Sequence, residues 1–362
     1  MKPAYDIAII GGGILGCATA LRLADAGMQV VVLEKSSLGQ GASGVNAGTL
    51  SLQIKRVKLM PYALRGHAKW AAMGRAVGYR QTGGLTLAFN EREEELLVNR
   101  MRLKADAGAP IQQISIARAL EYEPHLTKKI TAASWCELDG YANSSLSGQF
   151  YRKQLKNSDV TIIEDFHVGS IDRIDDGGFC LKSLDKTINA NRVLLACGGW
   201  LKQAATMLGV DLPVQARINT VSATESVLPI LSGIIGHATG LLTMKQKPNG
   251  TILIGGGWQG TGTPETGRGH VSMETLLPNL SLGQFVLPAL ANARLVRSWT
   301  GFEANVPDFY PLAGALPGVE DAFVLGCVRG GFTIGPYIGD LMGDFILGRE
   351  PELPLFDPSR NF

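Results

Sequence analysis

The length, composition and charge of the chain limit what it can be. Its 362 residues suffice for one large two-lobed unit or two ordinary domains, and hydrophobic residues (45%) far outnumber charged ones (18%), so a well-buried core is expected rather than disorder. A formal charge of +2 gives no argument for a nucleic-acid partner, and five scattered cysteines without a C-x-x-C pair argue against zinc, iron–sulfur clusters and a disulfide framework.

The first predicted elements form a strand–helix–strand unit. Residues 6–10 are a short apolar run stopped by three glycines, which is typical of a buried parallel strand. Small and apolar residues at helical spacing predict a helix over 16–26, and Val30–Leu33 predicts the next strand. No basic leader precedes the first strand and no uninterrupted apolar run of membrane length occurs, so the sequence predicts a cytoplasmic chain without a membrane span.

The remaining elements predict a discontinuous α/β architecture. Strands are expected at 84–89, 160–163, 192–196 and within 213–258, and helices from 91, over 272–291 and over 336–347. We expect a Rossmann-like doubly wound domain from 1–80, 142–210 and 309–362, and an interleaved antiparallel-sheet domain from 81–141 and 211–308.

The glycine-rich turn after the first strand carries the first chemical signal. Residues 11–16 read G-G-G-I-L-G and fit G-x-G-x-x-G, in which Gly11 permits the turn, Gly13 lets a pyrophosphate approach the backbone, and Gly16 lets helix and strand pack closely. Glu34 ends the second strand, where a carboxylate can accept hydrogen bonds from ribose hydroxyls. The plain alternative is a glycine-rich turn with an incidental surface Glu. The motif alone does not distinguish FAD from NAD.

Two further segments favour a flavin. Residues 39–48 read G-Q-G-A-S-G-V-N-A-G, and such small, polar residues suit a loop along a ribityl chain and the edge of a flavin ring, although an ordinary turn is the simpler alternative. Residues 196–200 read A-C-G-G-W at the end of a strand. The backbone of this segment is expected to come close to the dinucleotide, as that of the first glycine-rich turn does.

The chain resembles the D-amino-acid oxidase-like flavoenzymes over essentially its whole length. The resemblance rests on the order of its motifs: the first glycine-rich turn, Glu34, A-S-G-x-x-A-G, A-x-G-x-W and a C-terminal R-x-G-x-T/L-x-P pattern at 329–336. The nearest likeness is to the FAD-carrying β subunits of heteromeric dehydrogenases that oxidise opines, D-hydroxyproline or proline. This resemblance implies FAD contacts from the two glycine-rich loops and their surroundings: Gly11, Gly13, Ile14, Leu15, Gly16, Glu34, Lys35, Ser43, Gly44, Asn46, Ala47, Gly48, Leu50, Val168, Cys197, Gly198 and Trp200.

The same resemblance places the C-terminal segment at the flavin ring. It implies that Gly330, Gly331, Phe332, Thr333 and Ile334, with the helix that follows, face the N1–C2=O region, where a helix dipole would stabilise negative charge. Arg329 would add to that effect; its plain alternative is a surface or salt-bridged Arg.

One position departs from the family pattern. Many relatives carry W-x-G-x-R-P, whose Arg holds the substrate carboxylate, but residues 299–304 read W-T-G-F-E-A, so Glu303 replaces that Arg. Glu303 would bind a cationic part of the substrate, accept a hydrogen bond from its amine, or pair structurally with Arg294 or Arg297. The residues expected at the substrate are Glu303, Arg329 and Gln53.

These observations predict oxidation of a C–N bond of an amino acid or secondary amine by hydride transfer to flavin, with electrons leaving through centres on partner subunits of a hetero-oligomer. A second flavin, FMN, at a subunit interface is allowed by the family likeness, and no metal is expected. The alternatives are a stand-alone oxygen-using oxidase and a non-catalytic FAD-binding subunit for electron transfer.

Overall fold

The computed structural model describes residues 5–175, 177–326 and 330–362. Its strands, numbered along the chain, are β1 (Tyr5–Ile10), β2 (Val30–Leu33), β3 (Thr49–Leu50), β4 (Arg80–Gln81), β5 (Gly84–Ala88), β6 (Ile111–Ile114), β7 (Ala132–Cys136), β8 (Gly140–Tyr141), β9 (Thr161–Ile163), β10 (Ser170–Arg173), β11 (Phe179–Lys182), β12 (Thr187–Leu195), β13 (Gln215–Ser226), β14 (Ile234–His237), β15 (Thr243–Gln246), β16 (Thr251–Gly255), β17 (Thr261–Thr263), β18 (Arg268–His270), β19 (Leu295–Asn305), β20 (Leu312–Ala315) and β21 (Ala322–Gly326).

Its α-helices are α1 (Ile14–Ala24), α2 (Ala42–Val45), α3 (Met60–Met73), α4 (Glu91–Asp106), α5 (Ile116–Tyr122), α6 (Ser144–Asn157), α7 (Leu201–Thr206), α8 (Met273–Val286) and α9 (Gly331–Ile346). Short 3₁₀ turns cover Val57–Leu59, Gly74–Val77, Gly198–Trp200 and Pro288–Asn292. No helix in the described part of the chain has both the length and the apolar character needed to cross a membrane.

The chain divides into two compact units. The first comprises Met1–Val45, Ser144–Arg217 and Phe302–Phe362, and the second comprises Asn46–Asn143 and Ile218–Gly301. The predicted boundaries differ most over residues 46–80, which were assigned to the first domain but cluster with the second. The reason is local pairing, because Thr49 and Arg80 both pair with Tyr141 of β8.

The first unit is built on a sheet whose centre is parallel. β21, β12, β1, β2 and β9 lie side by side in parallel, and β11 and β10 extend the sheet in antiparallel. In this register Ile10 lies opposite both Leu33 and Leu195, so β1, β2 and β12 end level with one another. β2 is apolar and buried along its whole length, and so are β1 from Ile7 to Ile10 and β12 from Val193 to Leu195, as expected where helices cover both faces of a parallel sheet.

Glycines allow the first and last helices of this unit to pack closely. A Cβ added at Gly339 of α9 would lie 2.5 Å from Ala18 Cβ, and one at Gly343 would lie 2.5 Å from Arg22 Cγ. Thr19 Oγ1 donates to the Gly339 carbonyl oxygen at 3.0 Å. The two ends of the chain therefore form one helix pair.

The second unit is a mixed sheet in the order β19-β13-β16-β15-β14-β5-β7-β6, accompanied by the small sheet β3-β8-β4. The pairs β13–β16, β14–β15, β15–β16, β5–β7 and β6–β7 are antiparallel, as expected, and β14 with β5 is parallel. The fold class itself, a doubly wound α/β part with an interleaved sheet domain, is confirmed.

Candidate functional site

The carboxyl ends of the parallel strands in the first unit bring the predicted cofactor residues to one edge. Residues 11–16 follow β1, Glu34 and Lys35 follow β2, and the segment 197–200 follows β12. Because these strands end level, the three segments lie side by side. In open parallel sheets ligands bind outside this edge.

The three motif glycines have different local environments. Gly11 has φ +114°, and a Cβ there would lie 2.5 Å from the carbonyl oxygen of Ala196. A Cβ at Gly16 would lie 2.2 Å from the carbonyl oxygen of Gly11. Gly13 has ordinary extended geometry, φ −75° and ψ 175°, and its Cβ position is open except for Ser43 Oγ at 3.2 Å. Gly11 and Gly16 are thus required by the fold, whereas Gly13 leaves room for a ligand.

The loop that follows Glu34 is held against this turn. Glu34 accepts hydrogen bonds from the backbone N–H of Gly12 (2.8 Å) and of Ser36 (3.0 Å), which fixes its carboxylate at the end of β2. Ser43 Oγ accepts the Ile14 N–H at 3.0 Å. The hydroxyl therefore sits at the start of α1, where anions bind favourably.

A salt bridge between Arg152 and Glu164 also holds this loop in place. Arg152 of α6 pairs with Glu164, and Glu164 also accepts the Leu38 N–H at 2.7 Å. The Arg152 guanidinium lowers the pKa of Glu164 to about 2. The loop is therefore tied to α6 at ordinary pH.

The segment after β12 is the third of the three segments at this edge of the sheet. Lys35 Nζ lies 2.9 Å from the centroid of the Trp200 ring, and burial lowers the pKa of Lys35. Gly198 has φ +56° and open space at its Cβ position, while burial raises the pKa of Cys197 to about 12. Val168, in contrast, packs within the core cluster of this unit.

These features fit FAD. A turn with room at Gly13, the backbone N–H groups at the start of α1, and a carboxylate fixed at the end of β2 match a pyrophosphate and a ribose. The residues that would hold the nucleotide half are Gly11–Gly16, Glu34 and Ser43. Their part in binding remains a prediction.

The start of α9 brings Glu303 to a backbone donor. Gly330 caps the helix in the left-handed conformation (φ 67°), and its N–H donates to Glu303 Oε1 at 3.2 Å. Arg294, a partner considered for Glu303, instead bonds Glu225 in the second unit, and Arg297 lies over the Trp299 ring at 5.4 Å. Arg329, the other predicted substrate residue, lies outside the described residues, as do Cys327 and Val328.

In the second unit the segment 46–50 lies on β3 and the turn before it. Gly48 has φ +74°, its N–H donates to Asn46 Oδ1 at 2.6 Å, and its carbonyl oxygen accepts the Ala142 N–H at 2.9 Å. Leu50 is fully buried. Asn46, Ala47, Gly48 and Leu50 remain predicted flavin contacts.

Gln53 belongs to a buried polar network. Its Nε2 donates to the Gly84 carbonyl oxygen (2.9 Å) and to Asp139 Oδ2 (3.2 Å), and its Oε1 accepts from Ser134 Oγ (2.6 Å). Both ends of the amide are thus engaged inside the protein, and these hydrogen bonds tie the segment that follows β3 to β5 and β7. The contact of Gln53 with substrate remains a prediction.

The network contains two ionisable groups that sequence analysis missed. Asp139 accepts from Ser51 Oγ (2.5 Å) and from the Leu52 N–H (2.8 Å), and burial raises its pKa. Lys104 Nζ donates to the Gln53 carbonyl oxygen, and burial lowers the pKa of Lys104 to about 8. Neither residue belongs to a recognisable motif, so only the fold could have identified them.

Sequence analysis also missed two lysines of the second unit, Lys245 and Lys247, that contact the small sheet β3-β8-β4. Lys245 of β15 is 1% exposed and its Nζ donates to Thr49 Oγ1 at 2.5 Å. Lys247 Nζ lies 4.0 Å from the centroid of the Tyr141 ring. Arg80, Lys247 and Tyr141 also line a pocket of about 660 Å³. Among the described residues, no group of three or more His, Cys, Asp or Glu side chains could hold a metal ion.

Comparisons with known proteins agree with this geometry. The family model described as FAD dependent oxidoreductase matches residues 6–345. The chain is 27% identical to glycine oxidase of Geobacillus kaustophilus over 98% of this chain and 96% of that protein. It is 28% identical to a subunit of the opine oxidase of Rhizobium meliloti over 90% of this chain and 89% of that subunit. The crystal structure of the Geobacillus kaustophilus glycine oxidase superposes with a TM-score of 0.90 at 26% identity, covering 99% of each chain.

Proposed function

Because the chain belongs to the FAD-dependent oxidoreductase family, we propose that it oxidises the C–N bond of an amino acid or secondary amine as the FAD-carrying subunit of a heteromeric dehydrogenase. Its substrate would be opine-, D-hydroxyproline- or proline-like, and its electrons would pass to centres on partner subunits. Similarity to the opine oxidase subunit over about nine-tenths of both chains supports the subunit role.

The observation that carries the proposal is the edge formed by Gly13, Ser43 and Glu34. Gly13 leaves open space beside the start of α1, Ser43 places a hydroxyl there, and Glu34 is fixed where ribose hydroxyls would lie. FAD, when bound, supplies the acceptor for the hydride that leaves the substrate carbon. The protein contributes binding, orientation and exclusion of water.

The negative charge of Glu303 limits which part of the substrate can lie next to it. At an effective dielectric near 20, the interaction energy of two like unit charges about 4 Å apart is several kcal/mol less favourable than that of two opposite charges at the same distance. A substrate carboxylate therefore does not rest against Glu303, in contrast to the family pattern with Arg. The Glu303 carboxylate accepts the Gly330 N–H through Oε1, and we propose that it also accepts a hydrogen bond from the substrate amine or binds a cationic group.

The test is anaerobic reduction of the purified yellow protein with a panel of D-amino acids, proline derivatives and opines. A dehydrogenase is bleached by its amine, turns over with an artificial dye and re-oxidises slowly in air. Co-purification from the native source, followed by mass analysis, should recover partner subunits. A lone chain that turns over efficiently with oxygen and makes peroxide would refute the subunit role.

Stand-alone oxidation of an amino acid by oxygen is the second candidate, favoured by the similarity to glycine oxidase over nearly the full length of both chains. The peroxide measurement decides between the two. A protein that no amine reduces would be a non-catalytic carrier of electrons. FMN at a subunit interface remains an expectation from the family likeness and is not part of the proposed function.

A further inference from the structure

A pocket of about 660 Å³ lies in the second unit, and all of its lining residues belong to that unit. Its size falls within the range of about 300–1,000 Å³ that is typical of sites for small molecules. Arg80, Tyr141 and Lys247 line it together with neutral polar and apolar side chains, and no described lining residue is an Asp or Glu. We call it the second-unit pocket.

The register of the small sheet brings two of these residues together. Arg80 and Tyr141 pair directly across β4 and β8, and residues opposite each other on neighbouring strands carry their side chains on the same face, with Cβ atoms roughly 4.5–5.5 Å apart. Lys247, which follows β15, places its Nζ 4.0 Å from the centroid of the Tyr141 ring. Both cations therefore lie beside the same aromatic side chain, and Arg80 is exposed to an incoming ligand.

The protein does not compensate the charges of these two cations. In the described ranges neither Arg80 nor Lys247 forms an ion pair with an Asp or Glu side chain. Glu123 lies behind the lining residue Ser232, but its carboxylate already accepts the N–H groups of Ser232 and Gly233. Burial and the charge of Arg80 lower the pKa of Lys247 to about 8, as expected for cations that approach each other without an anion.

The Tyr141 hydroxyl adds a third donor. Tyr141 lines the pocket and is only 4% exposed, yet within the described part of the chain its hydroxyl has no hydrogen-bond partner. Burial raises the pKa of this hydroxyl, so it stays protonated and can donate. A buried polar group without a partner is unfavourable, and a ligand that accepts its hydrogen bond would remove that cost.

The apolar wall of the pocket is held in place by Gln246. Its Oε1 accepts the N–H groups of Ile230 (2.8 Å) and Leu231 (3.0 Å). Its Nε2 donates to the carbonyl oxygens of Val227 (3.1 Å) and Leu228 (2.9 Å). The Leu228 side chain nevertheless remains 83% exposed. The wall is thus fixed before any ligand binds, and it offers an apolar side chain to the body of that ligand.

We propose that the second-unit pocket binds a small organic dianion, a molecule with two negative charges on an apolar body. Arg80 and Lys247 each neutralise one charge, and the Tyr141 hydroxyl donates to one of the oxygens. A single carboxylate would leave one cation unpaired, so charge balance favours two negative charges.

A phosphate monoester and a dicarboxylate share this chemistry, because a guanidinium binds either group through parallel N–H donors. The size of the pocket favours a small molecule over an acidic segment of a partner polypeptide. The inference goes beyond the proposed function and does not depend on it.

The test measures the binding of matched probes to the FAD-loaded protein by calorimetry. Phenyl phosphate and phenylsuccinate carry two charges on the same ring at about pH 7.5, because the second pKa of a phosphate monoester is about 6 and carboxyl groups titrate near 4. Methyl phenyl phosphate keeps the ring and only one charge. The variants are Arg80→Met, Lys247→Met and Tyr141→Phe, with Lys153→Met as the control that removes an exposed lysine on α6. Melting temperature is measured for every variant.

Each probe and each variant should respond differently. Wild type should bind at least one dianion in a 1:1 complex, and methyl phenyl phosphate about tenfold more weakly or worse. Arg80→Met and Lys247→Met should each weaken the dianion by about 10- to 100-fold, as expected for loss of a charge-assisted hydrogen bond. Tyr141→Phe keeps the ring and should cost about 2- to 10-fold, whereas Lys153→Met should not change the Kd. The tighter dianion identifies the source, a phosphate ester or a dicarboxylate.

A second measurement needs no variant. Lys247 is acetylated with limiting acetic anhydride near its pKa of about 8, and peptide mass mapping follows the reaction. The bound dianion should protect Lys247 but not Lys153. The proposal would be overturned if neither dianion binds, if the Kd stays at the wild-type value in both Arg80→Met and Lys247→Met, or if only a co-purified polypeptide protects Lys247. Reduction of the flavin by an amine is a separate measurement, so the proposed function stands or falls independently.

Discussion

Substitutions at Gly13 and Gly16 should separate FAD binding from folding. Gly13 already has an L-residue backbone conformation, and its Cβ position meets only Ser43 Oγ at 3.2 Å. We therefore expect Gly13→Val to fold and to lose FAD. Gly16→Ala places a Cβ 2.2 Å from the Gly11 carbonyl oxygen, so it should destabilise the protein whether or not FAD is present.

The expected magnitudes follow from the contacts involved. Loss of two hydrogen bonds between backbone N–H groups and a phosphate, at about 1.5–3 kcal/mol each, weakens FAD by roughly 10²- to 10⁴-fold. The overpacking at Gly16 involves backbone rather than a flexible side-chain end. It should cost at least about 1–3 kcal/mol of unfolding free energy, or several degrees of Tm.

The assay compares apoproteins first and FAD binding second. Apoprotein melting temperatures are measured for wild type, Gly13→Val, Gly16→Ala and Gly41→Ala, whose added Cβ meets no atom within 4 Å. FAD is then titrated back and its Kd determined from flavin fluorescence. A yellow Gly13→Val protein with wild-type Kd would refute the placement of the pyrophosphate, and an unfolded one would refute the account of Gly13.

Three further perturbations test other parts of the structure. The pKa of Lys104 is about 8 in the folded protein against 10.5 normally. The unfolded state therefore binds more protons between these pH values, and the free energy of unfolding of the wild type should rise by on the order of 3 kcal/mol from pH 8 to 10.5. Urea unfolding of Lys104→Met should lack that part of the rise, and an equal dependence of the unfolding free energy on pH in both proteins would exclude a perturbed Lys104. Gly339→Leu should lower Tm strongly because its Cβ would lie 2.5 Å from Ala18 Cβ; a wild-type Tm would mean that α1 and α9 pack less closely. Glu303→Gln keeps an acceptor for the Gly330 N–H but removes the charge, so kcat/KM should fall at least about tenfold with FAD content and Tm unchanged. Unchanged kinetics would make Glu303 a structural residue.

Local patterns were sufficient for the nucleotide-binding part of the fold. The run 6–10, the glycines at 11–16 and the strand Val30–Leu33 are determined by neighbours in sequence, and β1, α1 and β2 lie where predicted. The last helix was expected to begin near Pro336. It begins at Gly331, since the left-handed Gly330 starts it earlier.

The second unit was harder to predict because its defining contacts are distant in sequence. β3, β4 and β8 are two-residue strands, too short to show a periodicity. Lys245 lies in the sequence T-M-K-Q-K. This pattern places Lys245 and Lys247 on one face of a strand, but it does not show which face is buried by the rest of the protein. Only its contact with Thr49, almost 200 residues earlier, makes it a buried lysine.

The pairing of the first helix with the last also determines when the protein can become complete during synthesis. α1 leaves the ribosome about 320 residues before the surface of α9 that covers it, which includes Gly339 and Gly343. Until then the apolar side of α1 has no permanent cover, and such exposed intermediates are prone to aggregate. Stable loading of the nucleotide at the start of α1 is therefore expected only after α9 has emerged, and a premature stop before α9 should yield a protein degraded in cells rather than a shorter flavoprotein.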